Sequence, residues 1–189
     1  MLIRKEIEMG KEKYIAFLRG INVGGYHKVP MAELRNEMEK MNFDNVKTIL
    51  NSGNIMFDAI ASELEPMQKT ISENLRKAFG FNIPTIIRKS DMIYDLLDKN
   101  PFKKIILTNE VRLYVSFLPK NVKSDLDLPW TSDDNSYTII DKIDNNVFSV
   151  LDVSITNTPK AMEILEKTFG KDITTRNWNT IKRIEKKLY

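Results

Sequence analysis

Val46-Lys-Thr-Ile-Leu-Asn-Ser-Gly-Asn-Ile-Met-Phe-Asp58 decides the fold. Residues 46–51 and 54–58 are strand-like runs, and Ser52-Gly53 between them signals a hairpin, because glycine supplies the positive φ that tight turns need. Upstream, Tyr14 to Arg19 is aromatic and apolar and stops at a glycine cluster, as a buried strand does. Pro30 then suits a first helical position, and Met31, Leu34, Met38 and Met41 follow at helical spacing. Downstream, Ser62 and Glu65 form a capping-box pattern ahead of the stripe Leu64, Met67, Ile71, Leu75 and Phe79, and Gly80 ends that helix. Ile83 to Arg88 reads as a fourth strand, and Ser90 caps a short helix that ends before Pro101. The order is strand, helix, strand, strand, helix, strand, with a helix added.

The second half repeats the pattern. With an offset of ninety, Leu75, Lys77, Phe79, Gly80, Ile83 and Thr85 pair with Leu165, Lys167, Phe169, Gly170, Ile173 and Thr175. Val111, Leu113, Val115 and Phe117 alternate with Arg112, Tyr114 and Ser116, which predicts a half-buried strand. Tyr137 to Asp141 and Val147 to Val153 flank an Asp-Asn-Asn turn, and Thr158-Pro159 opens a helix with Met162, Leu165 and Phe169 inward. Ile173 to Thr175 would be a last short strand, followed by a helix from about Arg176. Lys120 to Trp130, where the first crossover helix should lie, has a proline, Pro129, and little periodicity. The reading is an α+β protein made by tandem duplication of two ferredoxin-like (βαββαβ) repeats with an extra C-terminal helix. Residues 1–13 form an N-terminal extension, 14–100 the first repeat and 101–189 the second repeat with the C-terminal helix.

Composition limits the chemistry. Among 189 residues there is no cysteine and a single histidine, His27, which excludes disulfides, thiolate nucleophiles and Cys/His metal centres. No motif calls for a metal or cofactor. The net charge is +3, too mild to imply nucleic acid by itself. Its distribution is uneven: residues 99–123 carry +5, residues 124–158 carry −6 and residues 171–189 carry +4. A basic surface near the C-terminus would attract an anionic ligand. The charged start cannot be a signal peptide, and no run of apolar residues is long enough to span a bilayer, so a cytoplasmic protein without a membrane partner is expected.

Three stretches look unlike ordinary core or surface. Arg19-Gly-Ile-Asn-Val-Gly-Gly25 puts three of the seven glycines between a strand and a helix, where backbone amides can approach an anion. It matches neither phosphate-binding fingerprint, and a plain tight connection would also account for it. Asn51-Ser-Gly-Asn54 needs only Gly53 as a hairpin, but in a ferredoxin-like sheet it lies at the edge where the first strand ends, so Arg19, Asn22, the Gly24 and Gly25 amides, Ser52 and Asn54 would converge. In Thr174-Thr-Arg-Asn-Trp-Asn-Thr180, a threonine would cap the last helix and Trp178, Ile181, Ile184 and Leu188 would face inward. Thr175, Arg176, Asn177 and Asn179 remain as candidate ligand-binding side chains, and an arginine at a helix start opposes the dipole unless an anion sits there.

Other candidates are weaker. His27 reads as a surface-loop residue before a general acid or base. Asp125, Asp127, Asp133 and Asp134 lack a cation-ligand pattern and read as a solvated acidic loop. Tyr14, Phe17 and Phe57 read as core packing before an RNA-stacking surface.

At Tyr14-Ile-Ala-Phe-Leu-Arg-Gly-Ile-Asn-Val-Gly-Gly25, Met31-Ala-Glu-Leu-Arg35, Asn51-Ser-Gly-Asn54 and Thr174-Thr-Arg-Asn-Trp-Asn-Thr180 the sequence resembles a bacterial family, domain of unknown function 1697. The likeness covers nearly the whole chain, leaving residues 1–8 outside. It implies an α+β protein of two ferredoxin-like repeats and supplies no activity, cofactor or catalytic residue. The leading functional expectation is therefore built from the residues. It is binding of a phosphorylated small molecule or nucleic acid by Arg19 and Arg176, the Gly24 and Gly25 amides, and Asn22, Asn54, Asn177 and Asn179. The alternatives are a metal-independent enzyme on a small substrate, with His27 or a lysine as base, and a structural protein whose polar loops join the repeats. The sequence leaves the oligomeric state open.

Overall fold

A computed structural model describes residues 10–188. The expected N-terminal extension lies outside the described residues except for its end, where Lys11 opens the first strand. The chain forms two compact units, Met1–Ser90 and Asp91–Tyr189, each with helices and one antiparallel sheet, in the α+β manner.

The first unit runs β1 (Lys11–Leu18), α1 (Met31–Lys40), β2 (Asp44–Ile49), β3 (Asn54–Ile60), α2 (Leu64–Phe79) and β4 (Thr85–Lys89), and α3 (Ser90–Lys99) follows directly, belonging from Asp91 onward to the second unit. The sheet order is β2-β3-β1-β4. Tyr14, Ala16 and Leu18 of β1 share one core with Leu34 and Met38 of α1 and Met67, Ile71 and Leu75 of α2. Tyr14, Phe17 and Phe57 are all fully buried. The capping box does not form. The helix starts at Leu64 with Glu63 as N-cap and no side-chain cap bond. That start puts Pro66 at the third helical position, where there is no amide hydrogen for a capping side chain to accept. The Ser62 amide donates to the Tyr14 hydroxyl instead. Pro30 likewise sits one place outside α1, as its N-cap.

The second unit runs β5 (Val111–Phe117), β6 (Trp130–Thr131), β7 (Tyr137–Ile143), β8 (Asn146–Asp152), α4 (Thr158–Phe169), β9 (Thr174–Asn177) and α5 (Trp178–Glu185), in the sheet order β6-β7-β8-β5-β9. Between β5 and β7 the described chain holds loop and the short β6 in place of a crossover helix. β5 is buried from Leu113 onward on both faces, so it is not the half-buried strand its alternation predicts. Tyr114 joins the core against Leu165 and Phe169 of α4. Elsewhere in the same unit, Phe148 of β8, Phe102 and Trp178 form an edge-to-face aromatic cluster. Serine at 116, read as an outward position, is buried against Thr175 through a 2.7 Å hydroxyl pair.

Among the described residues no helix is long and apolar enough to cross a membrane.

Candidate functional site

In the first unit the glycine loop and the hairpin turn meet. The Leu18 amide donates to Gly53 O at 2.8 Å, and Asn22 Nδ2 donates to Asn51 O at 2.9 Å. Gly53 is required here: it holds φ at +76°, and a Cβ would stand 2.7 Å from Leu18 Cβ. Arg19, Asn22, Gly24, Gly25, Ser52 and Asn54 thus belong to one pair of adjoining loops.

Their chemistry divides. Asn22 takes φ +55° and spends its amide on the backbone, Nδ2 donating to Val29 O and Asn51 O while Oδ1 accepts from the Val29 amide. Both amide hydrogens are used, so Asn22 fixes the loop's shape and has none left for a ligand. Asn54 is fully buried and donates to Ile49 O and Ser52 Oγ, which ties the turn across itself. Gly24 and Gly25, at φ +59° and +81°, form an exposed tight turn closed by Tyr26 N donating to Val23 O. Among the described residues their own amides make no hydrogen bond. Arg19 leaves β1 half-buried, its amide donating to Pro84 O. The α1 N-terminus has no side-chain cap, leaving its first amides available. His27 is exposed at φ +49°, its ring stacked on Phe81 at 4.3 Å between centroids, with Nδ1 3.1 Å from Gly20 O.

Sequence reasoning missed the apolar rim of this loop. Val23 and Tyr26 are 68% and 79% exposed, and Leu50 in the turn takes φ +59° while 43% exposed. A left-handed leucine costs strain that no sequence pattern announces.

The Thr174 to Thr180 segment belongs to the second unit and has a different local structure from the one expected. Thr174, Thr175 and Arg176 are strand residues of β9, with Arg176 opposite Val115. Asn177 is the helix cap, its side chain accepting from the Asn179 amide at 2.9 Å. Arg176 therefore does not confront the helix dipole. Its guanidinium is buried, donates to Thr174 Oγ1 and Thr175 O at 2.9 Å each, and is pushed down to about 10 by burial. Asn179 is exposed. Among the described residues no group of three acidic or histidine side chains could hold a metal ion.

A family model described as "Protein of unknown function (DUF1697)" matches residues 11–148. No curated protein matches the chain. Among solved structures, "conserved bacterial protein SP0830 from Streptococcus pneumoniae" is similar at 23% identity and a TM-score of 0.67, covering 95% of this chain and 100% of that one. At that identity the likeness speaks to the fold alone.

Proposed function

The chain belongs to the DUF1697 family, and from the geometry of its first unit we propose that it binds a phosphate-bearing ligand, a nucleotide or nucleic acid, at the loop from Arg19 to Val29. The observation that carries this reading is the exposed Gly24-Gly25 turn, whose amides bond nothing among the described residues while Asn22 holds the loop in place. Amides held in this way offer an anion donors that need no reorganisation, and the same loop runs on into the α1 N-terminus, which has no side-chain cap. Arg19 supplies the charge and a planar fork that fits phosphate oxygens. Ser52 and Asn54 brace the turn beneath. The rim of Val23, Tyr26 and Leu50 gives apolar surface on which a base could rest. In the second unit, Thr175, Arg176 and Asn177 have structural partners, so the reading rests on the first unit. A catalytic role for His27 has less support, since that ring is exposed and packed on Phe81.

The same reading treats the units as ferredoxin-like duplicates. Their sheets share an order, β2-β3-β1-β4 against β7-β8-β5-β9. Phe17 lies opposite Asn54 as Phe117 lies opposite Asn146, and Leu18 N bonds Gly53 O as Leu118 N bonds Asn145 O, each at 2.8 Å. The loss of the first crossover helix in the second unit would then be a divergence between copies.

Thermal shift against inorganic phosphate, mononucleotides and short oligonucleotides tests the ligand. Wild type should be stabilised by at least one of them, and Arg19→Ala should bind it about tenfold or more weakly, the worth of one charge-assisted bond. If an oligonucleotide is the ligand, affinity should fall steeply with salt. Equal stabilisation of wild type and Arg19→Ala by every compound, or none of either, sinks the proposal.

A further inference from the structure

In the second unit a cavity of about 400 Å³ opens beside β6, β7 and the start of α4, a size that suits a small molecule. Its wall includes Trp130, Asp134, Tyr137, Lys160 and Ile164. Asp134 is oriented: Oδ1 accepts from Ser136 Oγ at 2.6 Å, Ser132 Oγ at 2.7 Å and the Ser136 amide at 3.1 Å. Bonds from Ser136 and Ser132 hold this carboxyl well below the usual carboxylate range. Oδ2 accepts no hydrogen bond among the described residues. Lys160 Nζ stands 3.7 Å from it, an ion-pair distance too long for a hydrogen bond. With Asp133 also in the wall, two carboxylates face one ammonium, so the lining favours a cation.

One further feature chooses among cations. Trp130 is a half-buried aromatic wall, the surface on which an organic cation gains most. A divalent metal would need several oxygen ligands converging, and here one oriented carboxylate oxygen sits beside an indole.

We propose that this cavity binds a small protonated amine bearing an aromatic or apolar group, its ammonium on Asp134 Oδ2 and its apolar part against Trp130 and Ile164. The site lies in the second unit and does not depend on the phosphate reading.

Saturation-transfer NMR with 2-phenylethylamine, and with phenylacetate as its anionic counterpart, tests it. The amine should receive saturation from the wild-type protein and phenylacetate should not. Asp134→Asn, which keeps an acceptor for Ser132 and Ser136, should weaken the amine about tenfold or more. Lys160→Met removes the competing internal cation and should tighten it. Damage to the fold cannot produce tighter binding, so this second variant reads the site itself. No transfer to the amine at millimolar concentration, equal transfer to phenylacetate, an unchanged Asp134→Asn or a weakened Lys160→Met each overturns the proposal.

Discussion

Gly53→Ala probes how the hairpin turn seats against the end of β1. The position combines φ +76° with a would-be Cβ 2.7 Å from Leu18 Cβ and 2.9 Å from Ile21 Cδ1. Two costs add. Holding an L-residue in the left-handed region costs about 1–2 kcal/mol. The contact with Leu18 cannot be relieved by changing a rotamer, because that Cβ is fixed to the β1 backbone, and overpacking of this kind costs about 1–3 kcal/mol. Gly25→Ala is the control, with φ +81° and nothing within 4 Å of its Cβ. It meets the conformational cost alone, less about 0.4–1 kcal/mol regained by restricting the unfolded chain. The unfolded-chain gain is common to both variants, so their difference, about 2 kcal/mol, isolates the packing. Urea unfolding followed by circular dichroism reads it, and since both sites lie in the first unit the same transition serves both. Equal midpoints for the two variants would refute the seating of the turn on Leu18 and Ile21, and with it the rigid junction on which the anion-site reading depends.

Two further outcomes follow from buried charge. Arg176→Ala should destabilise the second unit by about 2 kcal/mol, because it removes a buried side chain and its charged hydrogen bonds, while Arg176→Met, which keeps the bulk, should cost less; thermal melts decide, and no loss in either variant would remove its structural role. Asp58 is disfavoured as an anion by burial, yet hydrogen bonds from Lys13 and Asn45 outweigh this and lower its pKa. Its contribution is therefore present above the ordinary carboxylate value and lost as pH falls through the depressed one, so Asp58→Asn should be less stable than wild type by about 1 kcal/mol at pH 7. The gap should close in acid; a gap that widens there would reverse the sign of the argument.

The hairpin at 46–58 and the stripes of α1, α2 and α4 were legible because burial imposes a period, and a period survives without any knowledge of partners. Boundaries were less legible. The Ser62 and Glu65 pair satisfies the capping pattern, but the chain enters α2 one residue later, with Glu63 as N-cap, and Pro66 then removes the donor the cap would need. β5 shows the limit of alternation. Leu113, Val115 and Phe117 mark one apolar face plainly, and the other face, carrying Tyr114 and Ser116, is buried as well, since Ser116 is satisfied by Thr175. A polar residue at an outward position says that its hydrogen bond is met, and not by what.

That ambiguity governs the sites. Asn22, Asn54 and Asn177 stand out in the sequence as polar residues without a core role, yet each has a backbone group left unpaired by a loop or helix end to satisfy. The backbone demand is invisible until the chain path is known, so the polar residues of a loop cannot be divided in advance between those that hold it and those that could meet a ligand. The same reasoning separates Asp133 from Asp134. In Ser132-Asp-Asp-Asn-Ser136 the two acids look alike, but only the second has a serine two places away on either side, and both hydroxyls close on Oδ1. A carboxylate fixed at one oxygen presents the other in a defined direction. An aspartate bracketed by serines at i−2 and i+2 is therefore a better pointer to an oriented anion than the density of acidic residues around it, and the density is what made this loop read as mere solvated charge.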